Sequence, residues 1–155
     1  MFRKTTNEIT TNEIISTCNN AVTSYDESCN VFWSSPGQEG INRRIEFLLL
    51  LGNLNDASPE QAIFAIYKFY KKESCVNGMG MQHSRLVGNL ERALYKLFNI
   101  KEKDYSCDNR REENYKYIIE MHRRRSELER CVQGFIENLN EISPVSSAIQ
   151  MHNSL

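Results

Sequence analysis

Apolar residues recur along most of this chain at three- and four-residue steps, the spacing of one face of an α-helix, and no useful stretch alternates as a strand does. The pattern predicts five helices. In the first, Ile14, Cys18, Val22, Tyr25 and Cys29 share one side. Its start is ambiguous, because the tandem Thr5-Thr6-Asn7-Glu8-Ile9 and Thr10-Thr11-Asn12-Glu13-Ile14 carries a Thr-x-x-Glu capping box in each copy. Asn30 to Gly40, with Trp33 and Pro36-Gly37, reads as a loop. The second helix runs from about Gln38 to Leu54. Its predicted core stripe is Ile41, Ile45, Leu48, Leu49 and Gly52, and Phe47, Leu50 and Leu51 make it apolar nearly all round, the pattern of a central, buried helix.

Ser58-Pro59-Glu60-Gln61 marks the third helix: serine as cap, proline first, glutamine at the third position. That helix runs to about Glu73 with Ile63, Phe64, Ile66, Tyr67 and Tyr70 inward. Asn77-Gly78-Met79-Gly80-Met81 interrupts it as a flexible connection. The fourth helix spans roughly Ser84 to Asn99 and buries Leu86, Val87, Leu90, Ala93, Leu94 and Leu97. The fifth covers about 108–142. Tyr117, Met121, Leu128, Val132, Phe135, Leu139 and Ile142 form its stripe. Opposite them Glu113, Lys116, Glu120, Arg123, Glu127 and Arg130 alternate in sign, each pair worth roughly 0.2–0.5 kcal/mol. The expectation is one all-α domain: a five-helix bundle over residues 10–143, with the long C-terminal helix as its spine and helices two to four packed along it. Residues 1–9 and 144–155 are expected to be flexible ends.

Composition changes this picture little. At 155 residues, one domain buries roughly 70% of the unfolded surface without a disulfide or metal staple. The five cysteines include no Cys-x-x-Cys pair, and Cys18 and Cys29 lie about 16 Å apart along one helix, too far for a disulfide. Reduced thiols and a cytoplasmic location are expected. The polar start lacks a secretory h-region, and the longest apolar run, Phe47 to Leu51, is too short to span a bilayer. The net charge is −1. It divides unevenly, with four basic and eight acidic side chains in the first sixty residues and fifteen basic and twelve acidic in the rest. This mild asymmetry points to a basic face, not to a strong nucleic-acid binder.

Several candidate sites stand beside plainer readings. Arg125 falls within the apolar stripe of the fifth helix, so it must snorkel, pair with a carboxylate or face a groove; a structural buried charge in an internal ion pair is the preferred reading. On that reading Arg125→Ala destabilises the fold more than Arg124→Ala. Arg123 belongs to the charge ladder, neutralised by Glu120 and Glu127. On the fourth helix Arg85, Arg92 and Lys96 share a face with no acid three or four positions away, and Lys68, Lys71 and Lys72 on the third helix extend it. That face suits phosphate, RNA or an acidic protein; the plain alternative is a solvated surface. Cys75 and His83 flank the glycine connection, and Cys107 lies in another loop. A Cys75–His83 dyad or a metal site with Cys107 matches no known spacing, so no metal or cofactor is expected. Trp33, Met79 and Met81 suit protein contact, as tryptophan anchors interfaces and methionine adapts to partners. The plain alternative is that Trp33 lids the core.

The C-terminal region carries a compositional signal. Glu127, Glu129, Glu137 and Glu141 precede a polar tail, Ser143 to Leu155, that contains Ser and Asn and ends in an apolar residue. This region resembles the translocation signal of Dot/Icm type IV secreted effectors from Legionella-like bacteria. The resemblance implies delivery into a host cytosol and action on a host or bacterial partner protein, and implies no particular activity.

The leading expectation is a non-enzymatic protein–protein interaction module, an adaptor, inhibitor or small effector, contacting its partner through Trp33, Met79, Met81 and the face of Arg85, Arg92 and Lys96. The second is an anion or RNA binder using the basic face of helices three and four. The third is a thiol enzyme built on Cys75 or Cys107. Self-association through the fifth helix stays open.

Overall fold

The computed structural model describes residues 9–32, 38–76, 78, 80–101 and 110–142. Among them are five helices and no strand: α1 (Thr11–Phe32), α2 (Gln38–Gly52), α3 (Pro59–Ser74), α4 (Met81–Leu97) and α5 (Arg110–Ile142). None of these helices is long and apolar enough to cross a membrane. Trp33, Met79, Cys107 and both expected flexible ends, apart from Ile9, lie outside the described residues.

Helix starts follow local chemistry. The second copy of the tandem repeat wins, with the Thr10 hydroxyl accepting the Glu13 amide at 3.1 Å. The reason lies one residue upstream. Ile9 precedes this cap and Ile14 follows at the fourth helical position, and both are fully buried in the core. That is the arrangement of a hydrophobic staple, and the first copy, preceded by Lys4, cannot make one. Ile9 therefore belongs to the packed bundle, one residue beyond the boundary expected from sequence. At α3 both halves of the capping box form: the Gln61 amide donates to Ser58 Oγ at 3.2 Å and the Ser58 amide to Gln61 Oε1 at 2.9 Å. α4 begins three residues earlier than predicted, because Gly80 takes the N-cap with φ of 93°, open to glycine and strained for other residues. It ends in a Schellman motif. Asn99 is left-handed at φ 56°, its amide reaches Lys96 O at 3.2 Å and the Ile100 amide reaches Tyr95 O at 2.8 Å.

The helices are not arranged around α5. α3 and α4 each pack against all four other helices, whereas α5 touches only α3 and α4 among the described residues. The expected spine is an outer layer. Length explains this. Thirty-three residues make a rod of about 50 Å, roughly twice the length of α3, so the bundle covers only part of it. Leu128, Val132 and Phe135 are buried, and Phe135 meets Phe98 edge-on with ring centroids 5.6 Å apart. Towards the N-terminal end Tyr117, predicted inward, is half exposed, and Tyr115, Ile118 and Ile119 face solvent. The rod itself is unbroken through Gly134.

α2 departs most from expectation. The stripe predicted to face the core faces out: Ile45, Leu48 and Leu49 are exposed, Leu49 by 64%. The opposite side carries Phe47, Leu51 and, just past the helix, Leu54, all buried. Two contacts set this rotation. The Phe47 ring lies against Phe69 of α3 at 5.2 Å, and Arg43, one turn before Phe47 on the same side, brings its Nε to 3.5 Å from the buried Glu73 carboxylate. Turning the helix over would expose a phenylalanine and strip Glu73 of a cation.

Candidate interaction surfaces

Large apolar side chains are exposed on two helices: Tyr115, Tyr117, Ile118 and Ile119 at the N-terminal end of α5, and Ile45, Leu48 and Leu49 on the outer side of α2. Ile45, Leu48, Leu49 and Gly52 follow one another at helical steps, and no atom lies within 4 Å of a Cβ built on Gly52. With half-buried Ile41 the stripe extends over about 16 Å, three turns of helix. Its sequence signal was present as surplus apolar residues. What sequence could not say was which of two apolar sides would be left uncovered.

The basic face of α4 has a different neighbour from the one expected. Of the lysines expected to extend it, Lys71 of α3 lines a separate pocket with Val87 and Arg125, and none of the three lines the space beside Arg92 and Lys96. Instead α1 lies alongside, and the two helices flank an open cleft of about 250 Å³. Its apolar surface is Ala21 and Ala93, side chains small enough to leave the space open. Around it stand Thr17 and Asn20 from α1 and Arg92 and Lys96 from α4. Among the described residues, no carboxylate lines it. Asn89 braces the wall, donating from Nδ2 to the Ala21 carbonyl at 3.3 Å and accepting from the Arg92 guanidinium through Oδ1. Arg92 and Lys96, both exposed, are a like-charge pair one turn apart, an arrangement that costs a few tenths of a kcal/mol unless neutralised. Arg85 lies two turns away on the same side of α4, half-buried, outside the cleft and with an interaction of its own. Met81 is the first residue of α4.

Arg125 finds its carboxylate but not its burial. Its Nε donates to Glu91 Oε2 at 2.9 Å across the α4–α5 seam, yet its side chain is 46% exposed. The Tyr70 hydroxyl donates to the same oxygen; burial, then the Glu91 carboxylate, pushes that phenol well above its ordinary range. Arg124 is the more buried arginine, at 15% exposure, with its guanidinium 5.3 Å from the centre of the Tyr95 ring. The two arginines flank the buried seam at nearly equal angles, so the helical wheel does not rank them; the aromatic ring on α4 does. The burial favours the opposite ranking as the expected outcome: Arg124→Ala should lower the thermal midpoint at least as much as Arg125→Ala, and a clearly larger loss for Arg125→Ala would contradict this.

The charge ladder of α5 is also less solvated than its pattern implied. Glu120 is buried, and Arg123 holds it with two bonds of 2.7 and 2.8 Å while reaching Glu127 at 3.0 Å and the Lys101 carbonyl at 3.0 Å. Arg123 thereby ties α5 to the segment that follows α4.

Of the two candidate nucleophiles, Cys107 lies outside the described residues and Cys75 stands apart from the expected base. Cys18 is buried, and that burial pushes its thiol up to about 12. Cys75 is exposed at the C-cap of α3, but His83 does not serve it. The imidazole is 3% exposed, with Nε2 at 2.8 Å from Glu73 Oε1, and Glu73 is 1% exposed. This Arg43–Glu73–His83 cluster across α2, α3 and α4 was not read from the sequence, which offered Cys75 as the partner of His83 and gave no sign that Arg43 and Glu73 meet it. Among the described residues, no three His, Cys, Asp or Glu side chains are placed to hold a metal. No protein-family model, curated protein or solved structure matches the chain.

Proposed function

We propose that the protein is a non-enzymatic interaction module whose docking surface is the outer stripe of α2, and that the occupant is an amphipathic helix of a partner protein. One observation carries the reading. α2 is apolar on both sides, and the bundle uses only one of them. Exposed leucine and isoleucine at successive helical turns match the anchor spacing of a helix laid along a helix. The open Cβ position at Gly52 lets a partner backbone approach closely at one end. The resemblance of the tail to type IV translocation signals adds a place of action, a host cytosol, to the same proposal.

The test compares the intact chain with a Leu49→Lys variant. Leu49 is so exposed that the variant should keep its thermal midpoint. A protein captured from cell extract by the wild type should be lost at least tenfold by the variant, and hydrogen exchange in the purified complex should slow across residues 41–52. The same proteins retained by both chains, or none captured by either, rejects the reading. A dimer of the chain itself that Leu49→Lys dissociates also rejects it, since the occupant is then a second copy. A translocation reporter carrying the chain with and without residues 143–155 tests the place of action.

A further inference from the structure

We infer that the cleft between α1 and α4 is a binding site for a phosphomonoester, held by the Lys96 ammonium and the Arg92 guanidinium, with the Thr17 hydroxyl and the Asn20 amide as neutral donors. The site is separate from the α2 stripe and does not depend on it.

Four properties of the cleft point to this ligand. First, its charge is uncompensated: no carboxylate lines it, and neither Arg92 nor Lys96 has an ion pair among the described residues. Second, the donors are available. Thr17, Asn20 and Lys96 have no side-chain hydrogen bond there, and Arg92 spends one N–H on Asn89. Third, the guanidinium is held in place. Asn89 binds the α1 backbone with its amide nitrogen and Arg92 with its oxygen, so the side chain that would grip an anion is braced against the opposite helix. Fourth, the apolar lining is Ala21 and Ala93, whose small side chains leave room beside the four donors.

The number of charges and donors selects among anions. A carboxylate brings one charge and two oxygens. A phosphomonoester dianion brings nearly two charges and three terminal oxygens, which matches two cations and two neutral donors. A nucleic-acid strand needs a longer run of cations along its backbone. Here the run stops at two: Arg85 lies outside the cleft and the α3 lysines do not line it. A volume of about 250 Å³ likewise holds one phosphate-bearing group and not a strand. The group could belong to a free small molecule or to a phosphorylated side chain of another protein, and the chemistry of recognition is shared.

Calorimetric titration of the intact chain decides the matter, with inorganic phosphate, O-phosphoserine, a phosphoserine peptide and its unphosphorylated form, acetate, and oligouridylate as probes. At least one phosphorylated probe should bind, acetate and the unphosphorylated peptide at least tenfold more weakly. Binding should strengthen from pH 5 to pH 7.5 as the monoester loses its second proton near a pKa of about 6. Lys96→Gln and Arg92→Gln, both at exposed positions, should each weaken it at least tenfold, and Arg85→Gln less than twofold. Equal binding of free O-phosphoserine and the peptide assigns the site to small molecules; binding of the peptide alone assigns it to a modified protein. The inference falls if no phosphorylated probe binds the wild type, if Lys96→Gln binds as well as wild type, or if oligouridylate binds more tightly than every monoester and loses affinity with Lys71→Gln.

Discussion

Phe47→Ala should lower the stability of the chain by about 3–5 kcal/mol, while Leu49→Ser, two residues on, should change it by less than about 0.5 kcal/mol. Chemical denaturation of the two variants measures both. The contrast follows from the two sides of α2. The Phe47 ring is fully buried and packs on Phe69, so truncation leaves a cavity among residues held by α3 and α4. Leu49 has little to lose, because it is already 64% exposed. On hydrophobicity alone the order would be much closer, since both residues sit in an almost continuous apolar run. A loss at Leu49 comparable to that at Phe47 would mean that the outer stripe is covered in the folded chain, and the docking surface would go with it.

Glu73→Ala should cost a similar amount, about 3–5 kcal/mol, for an electrostatic reason. The carboxylate is buried where α2, α3 and α4 meet, with His83 Nε2 at 2.8 Å and Arg43 Nε at 3.5 Å on the same oxygen. Removing it leaves a buried imidazole without its partner and a small cavity beside it. Arg43 suffers less, as it is part exposed and also reaches Glu46 at 3.2 Å. The double variant Glu73→Leu with His83→Phe should therefore lose less than Glu73→Ala alone, because no buried polar group is then orphaned. A double-mutant cycle that returns independent, additive losses would show that the pair does not act as a unit. A Glu73→Ala chain within 1 kcal/mol of wild type would show that the cluster is not a structural joint.

These expectations separate what local rules reached from what they missed. Ser58 with Gln61 specifies its own helix start, and Thr10 wins over Thr5 through the isoleucines on either side of it; neighbours in sequence settle both. Much of the core was legible as well: Ile14, Cys18 and Val22 of α1, Ile63, Ile66 and Tyr70 of α3, and Leu86, Leu90, Ala93, Leu94 and Leu97 of α4 are buried as their spacing predicts, whereas Phe64, predicted inward, is half-buried, and the side chains of Tyr25 and Cys29 lie outside the described residues. The outer stripe of α2 was misread for the opposite reason. When both sides of a helix are apolar, periodicity has no contrast to report. The choice then falls to contacts with residues twenty to thirty positions away, Phe69 and Glu73.

The basic face shows the same division. Arg85, Arg92 and Lys96 were identified as a set, yet the cleft takes only two of them and adds Thr17 and Asn20, about seventy positions earlier in the chain. No spacing rule links such residues, because the pairing of α1 with α4 depends on how the whole bundle closes. Arg124 and Arg125 differ for a related reason: equal on the helical wheel, they diverge once Tyr95 supplies a ring for one and Glu91 an exposed carboxylate for the other.

The amino-acid order alone settled the number of helices, their order, most of their ends and the all-α class, because capping and hydrophobic spacing act over a few residues. Tertiary packing decided that α3 and α4 form the centre, that α5 overhangs as an outer layer, and which side of α2 meets water. Those outcomes depend on relative helix lengths and on side chains brought together from distant parts of the chain, where competing burials of similar size are resolved only when all five helices are in place.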